Sequence, residues 1–151
     1  MKISTKTDYA FRLLLELALN YDKFLKYGNI LRMKDISKKH NIPYKFLQQI
    51  VLQLKKFGYI RTIQGVKGGI CLAKHPKQII LGDVIKLLEG NLLQIVCFEE
   101  NFSKKCKEKN CVFVPIWQQI DKQLQEIVNN ISFEDIVNKY LSSQKRLEYF
   151  I

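Results

Sequence analysis

The stretch MKDISKKHNIPYKFLQQIVLQLKKFGYI, residues 33–60, carries two helical patterns interrupted at HNIP. The first is short and predicts a helix ending near His40. The second opens around Pro43, where proline suits a first helical turn, and runs to Phe57, with Gly58 placed to stop it. Phe46, Leu47, Ile50, Val51 and Leu54 recur at helical spacing as its apolar face, while Tyr44, Lys45, Gln48, Gln49 and Gln53 fall largely elsewhere. Two helices joined by a tight turn make a helix-turn-helix. Amide and lysine side chains on the free face of the second helix suit base edges and phosphates.

The chain continues as YIRTIQGVKGGICLA, residues 59–73. Tyr59 to Ile63 and Ile70 to Ala73 are β-prone, and the glycines at 65, 68 and 69 allow a turn between them, so a hairpin is expected. A hairpin with a basic tip after a helix-turn-helix is a winged helix, whose Arg61 and Lys67 would meet the DNA backbone or minor groove. The same glycines do not form a nucleotide loop, because no strand, GK[ST] and helix surround them.

Charge agrees with a polyanion partner. Residues 1–80 hold 16 Lys and Arg against 4 Asp and Glu, whereas residues 81–151 hold 9 against 10. The first half thus carries the whole basic excess, and the second has a different task. A solvated lysine-rich surface is the plainer explanation of the same charge.

Upstream, Phe11, Leu14, Leu15 and Ala18 predict an amphipathic helix from Thr7 to Tyr21, entered through capping residues Ser4 to Thr7. Asp8 falls in its first turn, where the helix dipole alone favours a carboxylate. Downstream, LGDVIKLLEG reads as a short helix closed by Gly90. Ile116, Ile120, Leu124, Ile127 and Ile131, with Trp117 beside them, predict a long helix whose stripe pairs with a second copy. Ser132 and Asp135 resemble a capping box for a last helix to about Leu141, followed by a poorly ordered tail, SSQKRLEYFI. The expected fold is therefore mainly α: a winged helix-turn-helix over residues 1–80, then a cysteine loop and a long dimerisation helix within residues 81–151.

The apolar run around RLLLELAL falls far short of the roughly 18 residues that suggest a membrane span, and no signal-peptide pattern opens the chain. The chain reads as soluble and cytoplasmic. In that reducing setting the cluster CFEENFSKKCKEKNC, residues 97–111, points to metal binding or redox sensing before disulfides. Structural zinc needs four ligands, and Cys106 with Cys111 gives one short pair; His40 and His75 lie far off in sequence, and Cys71 reads as a buried strand thiol. Three thiolates with a looser fourth ligand suit an iron-sulfur cluster. Lys104, Lys105, Lys107 and Lys109 crowd Cys106, and Cys111 precedes a helix N-terminus. Both features lower thiol pKa, and would equally activate a cluster-free redox thiol. No nucleophile, histidine and carboxylate constellation suggests an enzyme.

With KISTKTDYAFRLLLELA, the helix-turn-helix, GVKGG and the three cysteines in that order, the chain resembles the Rrf-type family of winged-helix transcriptional regulators along nearly its whole length. The resemblance implies a homodimer on a palindromic operator in double-stranded DNA, with an iron-sulfur cluster, 2Fe-2S or 4Fe-4S, held near the dimer interface or absent in an apo form. Cys97, Cys106 and Cys111 match the family's cluster cysteines. IscR-like members take a histidine after the third cysteine as fourth ligand, and CVFVPIW offers none. NsrR-like members present a carboxylate from the first helix, which the TDY setting of Thr7, Asp8 and Tyr9 matches, so the resemblance implies Asp8. Gln48 and Gln49, with Lys45 nearby, sit where the family's recognition helix faces the major groove. Gln64 and Ile70 stand where family wings often carry an arginine and an aromatic, which implies a minor-groove contact that is weaker or rests on Lys67. The implied function is a regulator, acting as a repressor, whose cluster senses nitric oxide, redox stress or cluster supply. A cluster-free thiol switch of the CymR-like kind, and a small iron-sulfur electron carrier or assembly factor, stand as alternatives.

Overall fold

The computed structural model describes residues 3–22, 29–93, 95, 97 and 111–148, with side chains of the last helix described through Lys145. Helix α1 (Thr5–Leu19) starts where Ser4 caps it, its hydroxyl accepting from the Thr7 N–H at 3.3 Å. Helices α2 (Met33–Lys39) and α3 (Tyr44–Lys56) follow. The turn between them passes through Asn41 at φ 51°, a left-handed conformation that asparagine tolerates. Strands β1 (Ile60–Ile63) and β2 (Gly69–Leu72) pair antiparallel with Ile60 opposite Leu72 and Ile63 opposite Gly69. Leu31 adds a bridge to Ile70 on the other side of β2, leaving β1 at the edge. A 3-10 turn (Pro76–Gln78) leads into α4 (Leu81–Glu89), and α5 (Phe113–Asn129) and α6 (Phe133–Glu148) complete the described elements.

The winged helix-turn-helix is thus present, with a two-stranded wing and a long helix after the cysteine segment. Gly68 is required in the wing, since a Cβ there would lie 2.3 Å from the Ile63 carbonyl oxygen. Gly58, at φ 73°, ends α3 as expected.

Helix α1 is the core of the molecule. Ala10, Leu13, Leu14, Leu17 and Ala18 are buried, and α3, α4, α6 and β2 all pack on it. The sequence stripe of Phe11, Leu14, Leu15 and Ala18 is too narrow: Phe11 and Leu15 are only partly buried, while Ala10, Leu13 and Leu17 join the core. A helix covered on several sides buries more than one stripe. In α3, Leu47, Ile50, Val51 and Leu54 turn inward as expected. Phe46 instead stands at the rim, edge-on to Tyr9 with centroids 5.7 Å apart.

The end of the chain differs from expectation. Helix α6 does not stop at Leu141 but continues to Glu148. Ser142 and Ser143 donate their hydroxyls back to the Asn138 and Tyr140 carbonyls, at 2.7 and 2.6 Å, so they do not break the helix. The Ser132 cap is as expected: its N–H and hydroxyl both donate to Asp135, at 2.9 and 2.6 Å. Phe133 beside it is fully buried in the same core as α1, and its N–H donates to the Ile79 carbonyl at 2.9 Å.

Glu16 is a charged group inside this core. Lys39 Nζ donates to its Oε1 at 2.8 Å, and His40 Nε2 lies 3.0 Å from its Oε2. Burial opposes ionisation of Glu16, but these two partners outweigh it and hold the carboxyl below its usual range. His40, with Lys39, therefore ties α1 to the helix-turn-helix. A depressed carboxyl adds stability that is present above the unfolded Glu pKa of about 4.3 and is lost as pH falls through the folded value. Glu16→Gln should lower the thermal midpoint near pH 7, by about 2–6 °C for roughly 1–2 kcal/mol lost, and should narrow its gap to wild type below about pH 4. Calorimetry across pH 3–7 checks both.

Candidate DNA-reading face and cysteine site

The outward face of α3 is built by what its inward face requires. With Leu47, Ile50, Val51 and Leu54 committed to the core, Tyr44, Lys45, Gln48 and Gln49 all stand exposed. The hydroxyl, ammonium and amide groups of the first two turns therefore face solvent. At the wing, Arg61, Gln64 and Lys67 are exposed, and Val66 between the last two is 96% exposed at the tip. Arg61 sits opposite Cys71 across the hairpin.

The cysteines divide into two kinds. Cys71 is buried on β2, and burial raises its thiol pKa despite the nearby Arg61 guanidinium, which makes it a poor thiolate ligand. Cys97 and Cys111 are free thiols, both partly exposed, and Cys111 lies two residues before α5. Cys106 and the lysines around it lie outside the described residues. Among the described residues, no three His, Cys, Asp or Glu side chains come together as a metal site.

Asp8 stands in the first turn of α1, half exposed, paired to Arg12 at 2.9 Å. Such an exposed pair is worth roughly 0.3–0.5 kcal/mol, so little opposes the carboxylate taking another partner. Asp8, Cys97 and Cys111 are each accessible, but among the described residues they are not gathered into one site. His40 and His75 are both engaged: His40 with Glu16, and His75 capping the 3-10 turn, its Nδ1 accepting from the Lys77 N–H at 3.2 Å with its ring against Tyr21.

One polar clasp was not foreseen. Glu89, the last residue of α4, accepts from the Ser4 N–H at 2.9 Å and from the hydroxyls of Ser4 and Thr7. Those hydroxyl bonds to Ser4 and Thr7 hold its carboxyl below the usual range. The stem of the cysteine segment is thus tied to the N-terminus of α1, one residue from Asp8. Residues 85 apart carry no local sequence signal of such a contact; the only hint is a Ser and a Thr in excess of what one helix cap needs.

Comparison with known proteins agrees with this architecture. Residues 3–139 match the Rrf2 family, described as an iron-dependent transcriptional regulator. The chain is 31% identical over 137 residues to the HTH-type transcriptional regulator NsrR of Shouchella clausii, covering 91% of this chain and 89% of that one. It superposes on the structure of CymR, the global cysteine regulator of B. subtilis, with TM-score 0.71 and 26% identity, over 92% of this chain and 98% of that one. T. potens IscR shares the fold, with TM-score 0.76 at 24% identity over 95% and 91% of the two chains. These relatives are regulators and not enzymes. The chain belongs to the Rrf2 family of DNA-binding transcriptional regulators.

Proposed function

We propose that the chain is a cytoplasmic, homodimeric repressor whose Cys97, Cys106, Cys111 and Asp8 hold an iron-sulfur cluster responding to nitric oxide, redox stress or cluster supply. In this reading residues 1–80 read a palindromic operator, through Tyr44, Lys45, Gln48 and Gln49 in the major groove and Arg61, Gln64 and Lys67 at the wing. Residues 81–151 dimerise and sense.

The observation that carries it is α5. The helix has no buried residue in the single chain, yet Ile116 and Ile127 are 51% and 60% exposed and Trp117 is 38% exposed. Such a stripe needs a cover, and a second copy of α5 supplies one by symmetry. Cys111 lies two residues before that helix, which puts its thiol next to the proposed interface.

When bound, the cluster would supply a redox- and nitric-oxide-reactive centre. The protein's part is to bind and to transmit. The thiolates of Cys97 and Cys111 are ligands from the two ends of the cysteine segment, and Asp8 is an exchangeable oxygen ligand. Glu89 joins that segment's stem to Ser4 and Thr7, and α1 packs on α3, so a shift at the stem reaches the reading helix. Operator half-sites lie about 34–36 Å apart, and a small change in the spacing of two reading heads weakens both together. A cluster-free thiol switch is the second reading, favoured by the free Cys97 and Cys111 and by the likeness to CymR.

Protein purified without oxygen should be brown and contain iron and sulfide, and Cys106→Ala should bleach it; Asp8→Ala should keep the colour but alter the spectrum and the nitric oxide titration. Colourless protein that resists anaerobic reconstitution would give the case to the thiol switch. For the dimer, Ile127→Asp should convert a concentration-independent dimer of twice 17.8 kDa to monomer in light scattering while keeping helical circular dichroism.

A further inference from the structure

We infer that the cleft between the C-terminal half of α3 and the edge strand β1 seats the phosphate backbone of the bound duplex, with Lys55 and Lys74 as its cationic contacts. The inference deepens the reading of α3 and the wing as the DNA face, and rests on it.

The cleft is open, about 590 Å³ in volume, and lined by Lys55, Arg61, Thr62 and Lys74 among its polar residues. No carboxylate lines it. Its cations are held in place and not merely solvated. Lys55 Nζ donates to Thr62 Oγ1 at 2.8 Å, bridging the helix to β1, and Lys74 Nζ sits 4.9 Å above the centre of the Tyr59 ring. Both lysines are exposed, so their remaining N–H groups are available to an anion.

Helical geometry says which anion. Lys55 follows Gln48 by seven residues, close to two full turns, so it lies on the same outward face about 10 Å further along the axis. The major groove is about 12 Å wide. If Gln48 reaches base edges, Lys55 stands at the wall of that groove, where the phosphates run. The wing tip, carrying Lys67, enters the neighbouring minor groove on the other side of the same wall, so the sugar-phosphate ridge between the two grooves passes over β1. A ridge bearing one charge per phosphate over a cleft with three cations and no carboxylate gains counterion release without reading sequence.

The test uses the full-length protein and two fluorescein-labelled duplexes, one recovered by the protein from a randomised pool and one of mixed sequence. Binding is measured against salt for wild type, the Lys55→Gln/Lys74→Gln double variant, Lys145→Gln and Gln48→Ala. Glutamine keeps a donor for Thr62, and unchanged thermal melts confirm the folds. The double variant should flatten the log–log salt slope by about 0.9 for each phosphate contact removed per subunit, and should weaken both duplexes by the same factor. Lys145→Gln, on α6, should not change the slope. An unaltered slope in the double variant, with Gln48→Ala still erasing the preference for the selected duplex, overturns the cleft and leaves the reading of α3 intact. Unaltered binding in both variants removes that DNA face and the cleft with it.

Discussion

Burial of α1 is the constraint on which the rest depends. Leu13, Leu14 and Leu17 are at most 2% exposed, and each such side chain contributes about 1.5–3 kcal/mol by leaving water. The recognition helix, the central strand of the wing, α4 and α6 all bury their own apolar faces against this one helix. The proposed reading face of α3 is therefore oriented from behind. Leu47, Ile50, Val51 and Leu54 fix its rotation about its axis, and that rotation presents Tyr44, Lys45, Gln48 and Gln49 outward. If that face reads DNA, a substitution in α1 would act on binding without touching DNA.

Two carboxylates join the helices where hydrophobic packing alone is indifferent to register. Glu16 links α1 to Lys39 and His40 at the end of α2, and Glu89 links the end of α4 to Ser4 and Thr7 at the start of α1. Apolar contacts tolerate small slides, whereas a carboxylate accepting two or three directed hydrogen bonds does not. The two ends of α1 are thus pinned to different parts of the molecule: one to the helix-turn-helix, the other to the stem of the cysteine segment. That arrangement suits a protein in which an event at the second part has to be felt at the first.

The parts of the fold legible in sequence were those set by local chemistry. Pro43 and Gly58 bracket α3, Gly65 and Gly68 mark the wing turn, and Ser132 with Asp135 opens α6. Each of these is decided within a few residues. Two misses were decided by tertiary neighbours: α1 buries Leu13 and Leu17 because it is surrounded, and Glu16 is tolerated in the core because Lys39 and His40 reach it from the end of α2. The third is local: α6 passes Ser142 because its hydroxyl folds back on the Asn138 carbonyl of the same helix. For the candidate site, the exposure of the α3 and wing residues followed from periodicity. Cys106 lies outside the described residues, and the pairing of Asp8 with Arg12 is an i, i+4 contact that the helix pattern allowed but did not single out.

Helix α5 raises a thermodynamic point about the proposed assembly. A 17-residue helix is only marginally stable by itself in water, and this one has no buried residue in the single chain. Among the described residues its main hold on the rest is through α4, where Gly82 lets Asn129 and Val128 approach closely, and that contact is at its C-terminal end. The N-terminal turns, with Phe113, Ile116 and Trp117, extend away from this anchor and gain little from it. In the dimer reading those turns are ordered by the partner, so folding of the arm, burial of its stripe and placement of Cys111 become one linked equilibrium. A ligand bridging the thiols near Cys111 would then stabilise the dimer by its own binding free energy, and its loss would weaken the arm first at the end that carries the cysteine.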